Sequence, residues 1–554
     1  MSNTIANTFI AKGIPVLQRG EEGYERSVAT PNLLFRFARP DFVLQPETPK
    51  HVQDIVTHAK AKGLKLTIKC GGHSGAGHST ALDGVSVDLR KMNKAKLDDI
   101  KAPTIVTFGG GSQWGHVYKT LINERLDGFV INGGRCPSVG VGGFVLGGGL
   151  GPFSRSIGMG SDNLLEATIV TADGALVTVK DTDDKDSPEG RLFWALRGGG
   201  AGNFGIVVEM KMAVKKLHDP DVVAGRYQWF GNPSAPEGDL FDQQDFMPTM
   251  VKFYTTDWPD CMTIDSTWIC DLRLNSGNGV RFITYFDGNK ETFDATIKQH
   301  VTNETLATQL IRRSLCEKST RFLHETLVAQ WSEETTKAFP TNRTYSLYSS
   351  FAFKNEEAVI KNVTALIREK MIAFRGAFPG ERVAFLVTFL HAGNKTGAIK
   401  SSDSAIFWRD ANYYVYLTAE WEDKWMEKDM REFFGNTKQA LRFLSLGDGK
   451  AAYINFPDGT FSSRFHESAY FGDNREELRR VKAIWDKDNF FQSAQGVRLP
   501  LKPGEKEEEL DVPDFDELSL TDMLASKQWQ DFVDNVLAIC NLPDHLDKPE
   551  HVGL

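Results

Sequence analysis

Apolar residues recur at two different spacings along this chain. In its first part, segments such as KLTIKCGGHS, IVTFGGGS and EATIVTADGALVTV are short apolar runs that end in turns, which is typical of strands. Between them, HVQDIVTHAKAKGL and WGHVYKTLINERL place apolar residues at helical spacing. This alternation predicts an α+β domain with small sheets over residues 1–216.

The middle of the chain, residues 217–445, loses the glycines and alternates amphipathic helices with strands. NEEAVIKNVTALIREKMIAF has the helical pattern, whereas RVAFLVTFL and NYYVYLTAEW have the pattern of strands. The alternation in YVYLTAEW predicts a half-buried antiparallel strand. Its alternate residues would share one face: Tyr414, Tyr416, Thr418 and Glu420.

Residues 446–500 return to the texture of the first part, and WDKDNFFQSAQGV predicts a terminal element that packs back on the first domain. We therefore expect one domain from residues 1–216 and 446–500, a second from 217–445, and an extension over 501–554. In the extension, the acidic KPGEKEEELDVPDFDELS predicts a linker, and LTDMLASKQWQDFVDNVLAI after it predicts a docked or appended helix. A chain of 554 residues fits two or three domains.

Charge and cysteine content narrow the class of protein. A net charge of -9 argues against a dedicated nucleic-acid binder, which would carry a basic stripe. The chain has no apolar run of about 18 residues for a membrane span, and its first residues lack the core of a signal peptide. Its six cysteines have neither disulfide nor zinc spacing. We expect a cytoplasmic protein with no metal site and no nucleic-acid or membrane partner.

A glycine-rich loop follows the first long strand pattern. In KCGGHSGAGHS, residues 71–77 contain four glycines directly after the strand. Glycine lets the backbone adopt positive φ and approach an anion, so the amides of this loop could bind phosphate oxygens. A tight turn without a ligand would fit the composition of this loop equally well.

A second, denser glycine cluster covers residues 133–151, GGRCPSVGVGGFVLGGGLG. Because glycine buries little apolar surface, this density suits main chain that lies flat against a large planar ligand better than it suits a core. A structural loop without a ligand is the alternative. A third motif, GAGNFG at 200–205, has the form G-x-G-x-x-G, but helix-like RLFWALR precedes it and strand-like IVVEMKM follows it. A dinucleotide-binding fold needs the opposite order, so we reject that interpretation.

Together, KCGGHSGAGHS, GRCPSVGVGGFVLGGGLGPFSRSIGMGSDNL and RGGGAGNFGIV resemble the FAD-binding domain of the vanillyl-alcohol-oxidase superfamily. YINFPD and YFGDNREELRRVKAIWDKDNFFQSAQGV narrow the resemblance to its berberine-bridge-enzyme-like branch, over about residues 35–497. The resemblance implies an α+β fold. It would comprise a two-lobed PCMH-type FAD-binding domain and a substrate domain with an antiparallel sheet covered by helices.

The resemblance also implies how FAD is held. His73 would bond to the flavin 8α-methyl carbon and Cys136 to flavin C6, which makes the attachment bicovalent. Judged alone, a histidine in a glycine loop is usually solvated or hydrogen-bonded, and an isolated cysteine usually packs in a buried position. The pyrophosphate would lie on the amides of Gly71, Gly72, Ser74 and Gly75. The remaining positions that would line FAD are Gly142, Gly143, Gly148, Gly151, Gly205 and Val207. His78 is expected to be a bystander, and Phe144 stands where relatives often have a polar residue.

On the substrate side, the resemblance places the substrate between the sheet and the flavin ring. Tyr453, in the Y-x-N motif, and Tyr416, both on predicted strands, are the candidate bases, with strand packing as the alternative role. A tyrosine of ordinary pKa, about 10, needs a cationic or hydrogen-bonded neighbour to act as a base. Arg409 is a candidate cation that is near in sequence, although nothing in the sequence fixes its position, and Glu420 is a weaker alternative base. Asn455 is expected to hold the loop or the cofactor.

These features predict an FAD-dependent oxidase that takes a hydride from an alcohol, amine or phenolic centre of a secondary metabolite and reduces O₂ to H₂O₂. A carbohydrate oxidase or a dehydrogenase of the same fold is the first alternative. A protein in which the flavin is redox-silent, such as a cyclase or a binding protein, is the second. Stoichiometric release of peroxide separates the oxidases from the dehydrogenase and the redox-silent protein.

Overall fold

The computed structural model describes residues 2–30, 32–231, 239–274, 277–330, 344–502 and 504. The predicted linker and terminal helix of the extension therefore lie almost wholly outside the described residues. The described chain forms three β-sheets with helices between and upon them.

The first sheet is small and has four strands, all within the first 88 residues of the chain. Its strands are β1 (Val16–Gln18), β2 (Phe42–Leu44), β3 (Leu66–Lys69) and β4 (Val85–Asp88), in the spatial order β1-β2-β4-β3. β4 lies between β2 and β3 and pairs in parallel with both. Parallel strands need crossover connections, and the helix Pro49–Lys62 is the crossover from β2 to β3. Thr48 caps this helix by accepting from the N–H of His51 at 3.2 Å, and Gly63 ends it with a φ of +62°.

The second sheet has six strands, all paired antiparallel. They are β5 (Ala95–Leu97), β6 (Ile105–Gly109), β7 (Phe129–Ile131), β8 (Leu164–Val170), β9 (Leu176–Lys180) and β10 (Ile206–Lys216). Their order is β5-β6-β10-β8-β9, and β7 pairs with one end of β10. The helix Pro188–Leu196 precedes the GAGNFG loop and β10 follows it. The helix–loop–strand order predicted from the sequence is confirmed, and it is not that of a dinucleotide-binding fold.

The third sheet has seven antiparallel strands in the order β14-β11-β13-β12-β16-β17-β15. They are β11 (Asp221–Phe230), β12 (Met262–Asp271), β13 (Gly279–Phe286), β14 (Ser314–Lys318), β15 (Tyr345–Phe353), β16 (Val383–His391) and β17 (Tyr413–Trp421). The helices Phe246–Thr255, Glu357–Ala377 and Glu427–Arg442 share an apolar core with one face of this sheet. The predicted fold class, with an antiparallel sheet covered by helices, is confirmed.

β17 contains the predicted YVYLTAEW strand, and it pairs antiparallel with β15 and β16. Tyr413, Leu417 and Trp421 belong to the core under the helices, whereas Tyr414 and Tyr416 belong to a separate cluster on the opposite face. The predicted division of this strand into two faces is confirmed. The prediction that the strand is half-buried was wrong, because Tyr414 and Thr418 on the second face are buried as well.

The remaining α-helices of six or more residues are Ser2–Ile10, Glu22–Val28, Trp114–Asn123, Val141–Leu146, Lys290–His300, Glu304–Arg313, His466–Phe471 and Arg475–Trp485. Shorter α-helical turns lie at Ser154–Ile157, Ser319–Arg321, Lys395–Ala398 and Leu446–Gly449.

The C-terminal part of the described chain packs back on its first part. The buried Lys482 ammonium donates to the carbonyl of Asn203 at 2.7 Å and to Asp486 Oδ2 at 2.8 Å. The N–H of Val497 donates to the side-chain oxygen of Asn203 at 3.0 Å. The predicted return of this element is therefore observed, while the domain bounds themselves stay a prediction.

The described residues contain neither a membrane-spanning helix nor a metal-binding group. No helix among them is long and apolar enough to cross a bilayer. Their His, Cys, Asp and Glu side chains form no group of three or more that could hold a metal ion. Cysteines 70, 136, 261, 270 and 316 form no disulfide.

Candidate functional site

The two glycine clusters are in direct main-chain contact. A Cβ atom on Gly71 would lie 2.3 Å from the nitrogen of Gly140, and one on Gly140 would lie 2.4 Å from the nitrogen of Gly71. Real Cβ atoms do not approach backbone so closely, so only glycine fits at both positions. The first loop, which leaves β3, and the loop before the helix Val141–Leu146 are thereby held against each other.

This contact predicts a stability difference between two neighbouring glycines. Gly140→Ala is expected to destabilise the protein by about 1–3 kcal/mol, because the added methyl overpacks against fixed backbone. Gly143→Ala is the matched control, since a Cβ there meets nothing within 4 Å. Urea unfolding of both variants measures the difference, and equal midpoints would contradict the close approach of the two loops.

The first loop carries main-chain donors that the protein itself does not use. Within the described residues, the N–H groups of Gly72, Ser74 and Gly75 have no protein acceptor. Gly72 has a φ of +77°, a conformation that glycine adopts without strain. The N–H of His78 donates to Ser74 Oγ at 3.2 Å, which helps to hold the loop. Three half-buried amide donors in one short loop match the chemistry of an anion site.

His73 and Cys136 meet at one hydroxyl group. The Oγ of Ser138 lies 3.1 Å from His73 Nε2 and 3.1 Å from Cys136 Sγ. Burial lowers the pKa of His73 to about 4, so its imidazole is neutral at pH 7. Cys136 is 4% exposed. The structure thus brings together the two residues that were predicted, from separate loops, to hold the cofactor.

The Y-x-N segment docks on the second glycine cluster. Tyr453 Oη accepts from the N–H of Gly149 at 2.8 Å and from Asn455 Nδ2 at 3.2 Å. Asn455 Nδ2 also donates to the carbonyl of Phe144 at 3.0 Å. A Cβ on Gly147 would lie 2.0 Å from Asn455 Oδ1. Asn455 therefore holds this loop against the glycine cluster, which is one of its two predicted roles.

The prediction that Tyr453 lies on a strand was wrong. It lies in a segment without regular secondary structure, between Leu446–Gly449 and His466–Phe471. Its main-chain N–H and carbonyl both bond to the hydroxyl of Ser350 on β15, at 2.9 and 3.1 Å. A side chain thus replaces the partner strand that the sequence pattern suggested.

Some of the other predicted cofactor positions lie next to this region. A Cβ on Gly148 would be 3.5 Å from Tyr453 Oη, so Gly148 lies beside the candidate base. Gly142 lies beside Gly110, whose main chain packs on the carbonyl of Val207. Val207 is therefore linked to the second cluster through Gly110.

Gly143, Gly151 and Gly205 have different surroundings. Gly143 is exposed, with open space around it. Gly151 packs against the carbonyl of Gly133, and Gly205 packs against the carbonyl of Val170 on β8 with a φ of +152°. Close main-chain packing explains Gly151 and Gly205, and contact of these three residues with a cofactor stays a prediction.

The two candidate bases belong to one aromatic cluster. Tyr416 on β17 stacks on Phe456 with ring centroids 4.2 Å apart and an angle of 9°. The ring centroid of Tyr453 lies 5.8 Å from that of Phe456 and 4.8 Å from that of Tyr414. This aromatic cluster (Tyr414, Tyr416, Tyr453 and Phe456) faces away from the helices that cover the sheet.

The protonation state of Tyr453 follows from two opposing effects. Burial raises its pKa, and the hydrogen bonds from Gly149 and Asn455 lower it, as do the more distant charges of Arg409 and Arg135. The balance leaves the pKa of Tyr453 at about 12, so the phenol is protonated at neutral pH. The hydrogen-bonded neighbours required of a tyrosine base are present.

Arg409 is bound elsewhere. It forms an ion pair with Asp162 through two hydrogen bonds of 2.7 and 2.8 Å and donates to Ser404 Oγ at 2.6 Å. Glu420, the weaker alternative base, pairs with Arg273 at 3.0 Å.

Sequence reasoning missed several residues of this site. Ser138 belongs to the segment CPSVG at 136–140, and no role was predicted for it. Its position two residues after Cys136 was the available signal. Arg135, directly before Cys136, forms an ion pair with Asp265 and donates to the carbonyl of Leu150 at 2.7 Å. No local pattern indicated this cation, because Asp265 lies on β12, far away in sequence.

Two family models match the chain. The model of the FAD binding domain matches residues 40–180. The model described as berberine and berberine-like matches residues 452–498, which include Tyr453 and Asn455.

Curated relatives match most of the chain. The FAD-linked oxidoreductase easE of Arthroderma benhamiae is 28% identical over 502 residues, which cover 86% of this chain and 92% of that protein. The aclacinomycin-N/aclacinomycin-A oxidase of Streptomyces galilaeus is 27% identical over 508 residues, covering 83% of this chain and 86% of that protein.

Solved structures share the fold over nine-tenths of this chain. Glucooligosaccharide oxidase from Acremonium strictum, described with a 6-S-cysteinyl, 8α-N1-histidyl FAD, has a TM-score of 0.73 at 20% identity, covering 90% of this chain and 100% of that one. Wild-type Phl p 4.0202, described as a glucose dehydrogenase, has a TM-score of 0.74 at 19% identity, with the same coverage.

Proposed function

This chain belongs to the berberine-bridge-enzyme-like family of FAD-linked oxidoreductases, and we propose that it is an oxidase with FAD bonded to both His73 and Cys136. Its substrate is an alcohol, amine or phenolic centre of a secondary metabolite, and O₂ is the electron acceptor. The observation that carries the proposal is the convergence of His73 Nε2 and Cys136 Sγ on Ser138 Oγ, each at 3.1 Å.

The residues present fit FAD. The amides of Gly72, Ser74 and Gly75 supply donors for the pyrophosphate, together with Gly71 beside them. A neutral imidazole and a buried thiol supply the two attachment atoms. The known linkage to a cysteine and a histidine in glucooligosaccharide oxidase supports the same pairing here. When bound, FAD supplies a two-electron acceptor for the substrate hydride and returns the electrons to O₂ as H₂O₂.

The proposal includes a division of the chain into two domains. Residues 1–216 with 446–500 form the FAD-binding domain, and residues 217–445 form the substrate domain. The position of the two matched family models and the buried bonds from Lys482 and Val497 to Asn203 support this division.

Tyr453 is the base of the proposed reaction. Its Oη lies beside Gly148, within the second glycine cluster, and accepts two hydrogen bonds that favour the phenolate. In this role, Tyr453 removes the proton from the substrate O–H or N–H group as the hydride leaves. Tyr416, stacked on Phe456, forms the wall of the substrate site on β17.

A second candidate function differs from this proposal in its substrate class or its electron acceptor. The same fold, at nearly the same TM-score, occurs in a glucooligosaccharide oxidase and in a protein described as a glucose dehydrogenase. A carbohydrate oxidase or a dehydrogenase is therefore the second candidate function.

Two measurements on the purified full chain test the proposal. Acid denaturation followed by intact mass should give protein that carries one FAD. Turnover with a panel of phenolic alcohols, amines and sugars should release one H₂O₂ per substrate oxidised. Flavin that separates from the denatured protein contradicts covalent attachment, and turnover only with an artificial acceptor assigns a dehydrogenase.

A further inference from the structure

Ser138 occupies a position that the family resemblance did not predict to be functional. It follows Cys136 and Pro137 in a turn closed by the bond from the N–H of Val139 to the carbonyl of Cys136, at 3.2 Å. The turn aims the Ser138 hydroxyl at two side chains from different loops, His73 and Cys136. One hydroxyl therefore contacts both residues that are proposed to bond to FAD.

The hydroxyl of serine both donates and accepts, whereas a neutral imidazole has one nitrogen of each kind. Because burial lowers the pKa of His73 to about 4, the ring is neutral at pH 7 and can exist as either of two tautomers. If Nε2 carries the proton, it donates to Ser138 Oγ, and the hydroxyl proton points to Cys136 Sγ. If Nδ1 carries the proton, the direction of both hydrogen bonds is reversed.

These two directions have different chemical consequences. A bond to carbon forms through the ring nitrogen that holds a lone pair. A hydroxyl that donates to sulfur favours the thiolate, which is the nucleophilic form of cysteine. Only the direction from Nε2 through Oγ to Sγ prepares both side chains for bond formation at once.

We propose that Ser138 is a positioning residue for flavin attachment, which fixes the proton of His73 on Nε2, directs its bond to FAD through Nδ1, and donates to Cys136 Sγ. This inference rests on the proposed covalent FAD. Each bond replaces one hydrogen of the side chain and one hydrogen of the flavin. The two hydrogens pass to O₂ as two protons and two electrons, so each bond consumes one O₂ and gives one H₂O₂.

The proposal predicts a specific difference between two substitutions. Ser138→Ala removes the hydroxyl, and Ser138→Thr retains it with one additional methyl group. In a Cys136→Ala background, where only the histidine bond can form, Ser138→Ala should lower the covalently bound fraction of FAD at least tenfold at a fixed early time after induction. Ser138→Thr should stay within about twofold of the parent, as expected for a role that depends on the hydroxyl.

Intact mass of acid-denatured, full-length protein gives the covalent fraction, and total flavin absorbance before denaturation gives the amount bound. A second readout does not depend on any variant. The flavin-bearing peptide from a digest of the wild-type protein is analysed by NMR to identify the bonded ring nitrogen. We expect Nδ1 in the wild type and in Ser138→Thr, and a mixture of Nδ1 and Nε2 in Ser138→Ala.

The outcomes separate this inference from the proposed function. Wild-type protein that carries no covalent FAD overturns the attachment itself. Covalent FAD bonded through Nε2 in the wild type overturns the role of Ser138 alone. The same holds if Ser138→Ala attaches FAD at the parent rate and through the same nitrogen.

Discussion

A His73→Ala, Cys136→Ala double variant is expected to release all its FAD on acid denaturation, whereas each single variant should retain FAD through the other bond. The reason is that His73 and Cys136 lie on separate loops, although both side chains contact the hydroxyl of Ser138, so each can be removed without removing the other. Intact mass should therefore show one FAD in the wild type and in both single variants, and none in the double variant.

Loss of one bond should also weaken catalysis. A flavin held by two bonds is fixed in its plane and more easily reduced, so we expect kcat to fall about tenfold in each single variant, equivalent to about 1.4 kcal/mol in the barrier. Cys70→Ala is the matched control, because Cys70 is a thiol in the same region that bonds to the carbonyl of Ser112. A single variant that loses all its covalent flavin would contradict bicovalent attachment.

The second large effect is expected at Tyr453. Tyr453→Phe should lower kcat/KM by about 10²–10⁴-fold, which is the usual contribution of a positioned general base. Tyr414→Phe is the matched control, since Tyr414 lies in the same aromatic cluster but donates its hydroxyl to the carbonyl of Trp408 at 2.7 Å. We expect that control to retain kcat/KM within a few-fold.

Tyr453→Phe also leaves the N–H of Gly149 without its partner, at a cost to stability of about 1–3 kcal/mol. The melting temperature and the FAD content of the variant separate this effect from the loss of the base. If Tyr453→Phe is as active as Tyr414→Phe, Tyr453 is not the base, and Tyr416 becomes the candidate for that role.

The pH dependence gives an independent check on Tyr453. Because burial raises its pKa to about 12, the phenol is protonated at pH 7 and the phenolate fraction grows about tenfold per pH unit. A reaction that needs the phenolate should therefore accelerate as pH rises from 7 to 9.5, with a slope of log kcat/KM near 1. The slope should vanish in Tyr453→Phe. A flat wild-type profile would contradict a phenolate base.

Local signals in the sequence were sufficient for much of the fold. The helix Pro49–Lys62 carries its own start and stop in Thr48, Pro49 and Gly63, so its bounds could be predicted without tertiary information. The alternation in β17 also determined which of its tyrosines face away from the covering helices. In the same way, the order of elements around GAGNFG excluded a dinucleotide fold.

Predictions failed where a distant residue decided the outcome. Tyr453 is not on a strand because Ser350, 103 residues away, bonds to both its main-chain groups. The guanidinium of Arg409 is held by Asp162, which lies 247 residues away. The His73–Ser138–Cys136 arrangement joins positions 65 residues apart. Neither periodicity nor spacing contains such pairings.

The bond between Gly149 and Tyr453 spans 304 residues, and it has a consequence for how the protein is made. At the usual rate of protein synthesis, the ribosome needs on the order of tens of seconds to travel that distance. During this interval the nascent glycine cluster lacks the Tyr453 and Asn455 contacts that cover it. Cofactor loading that requires the finished site must therefore wait until Tyr453 and Asn455 have been translated.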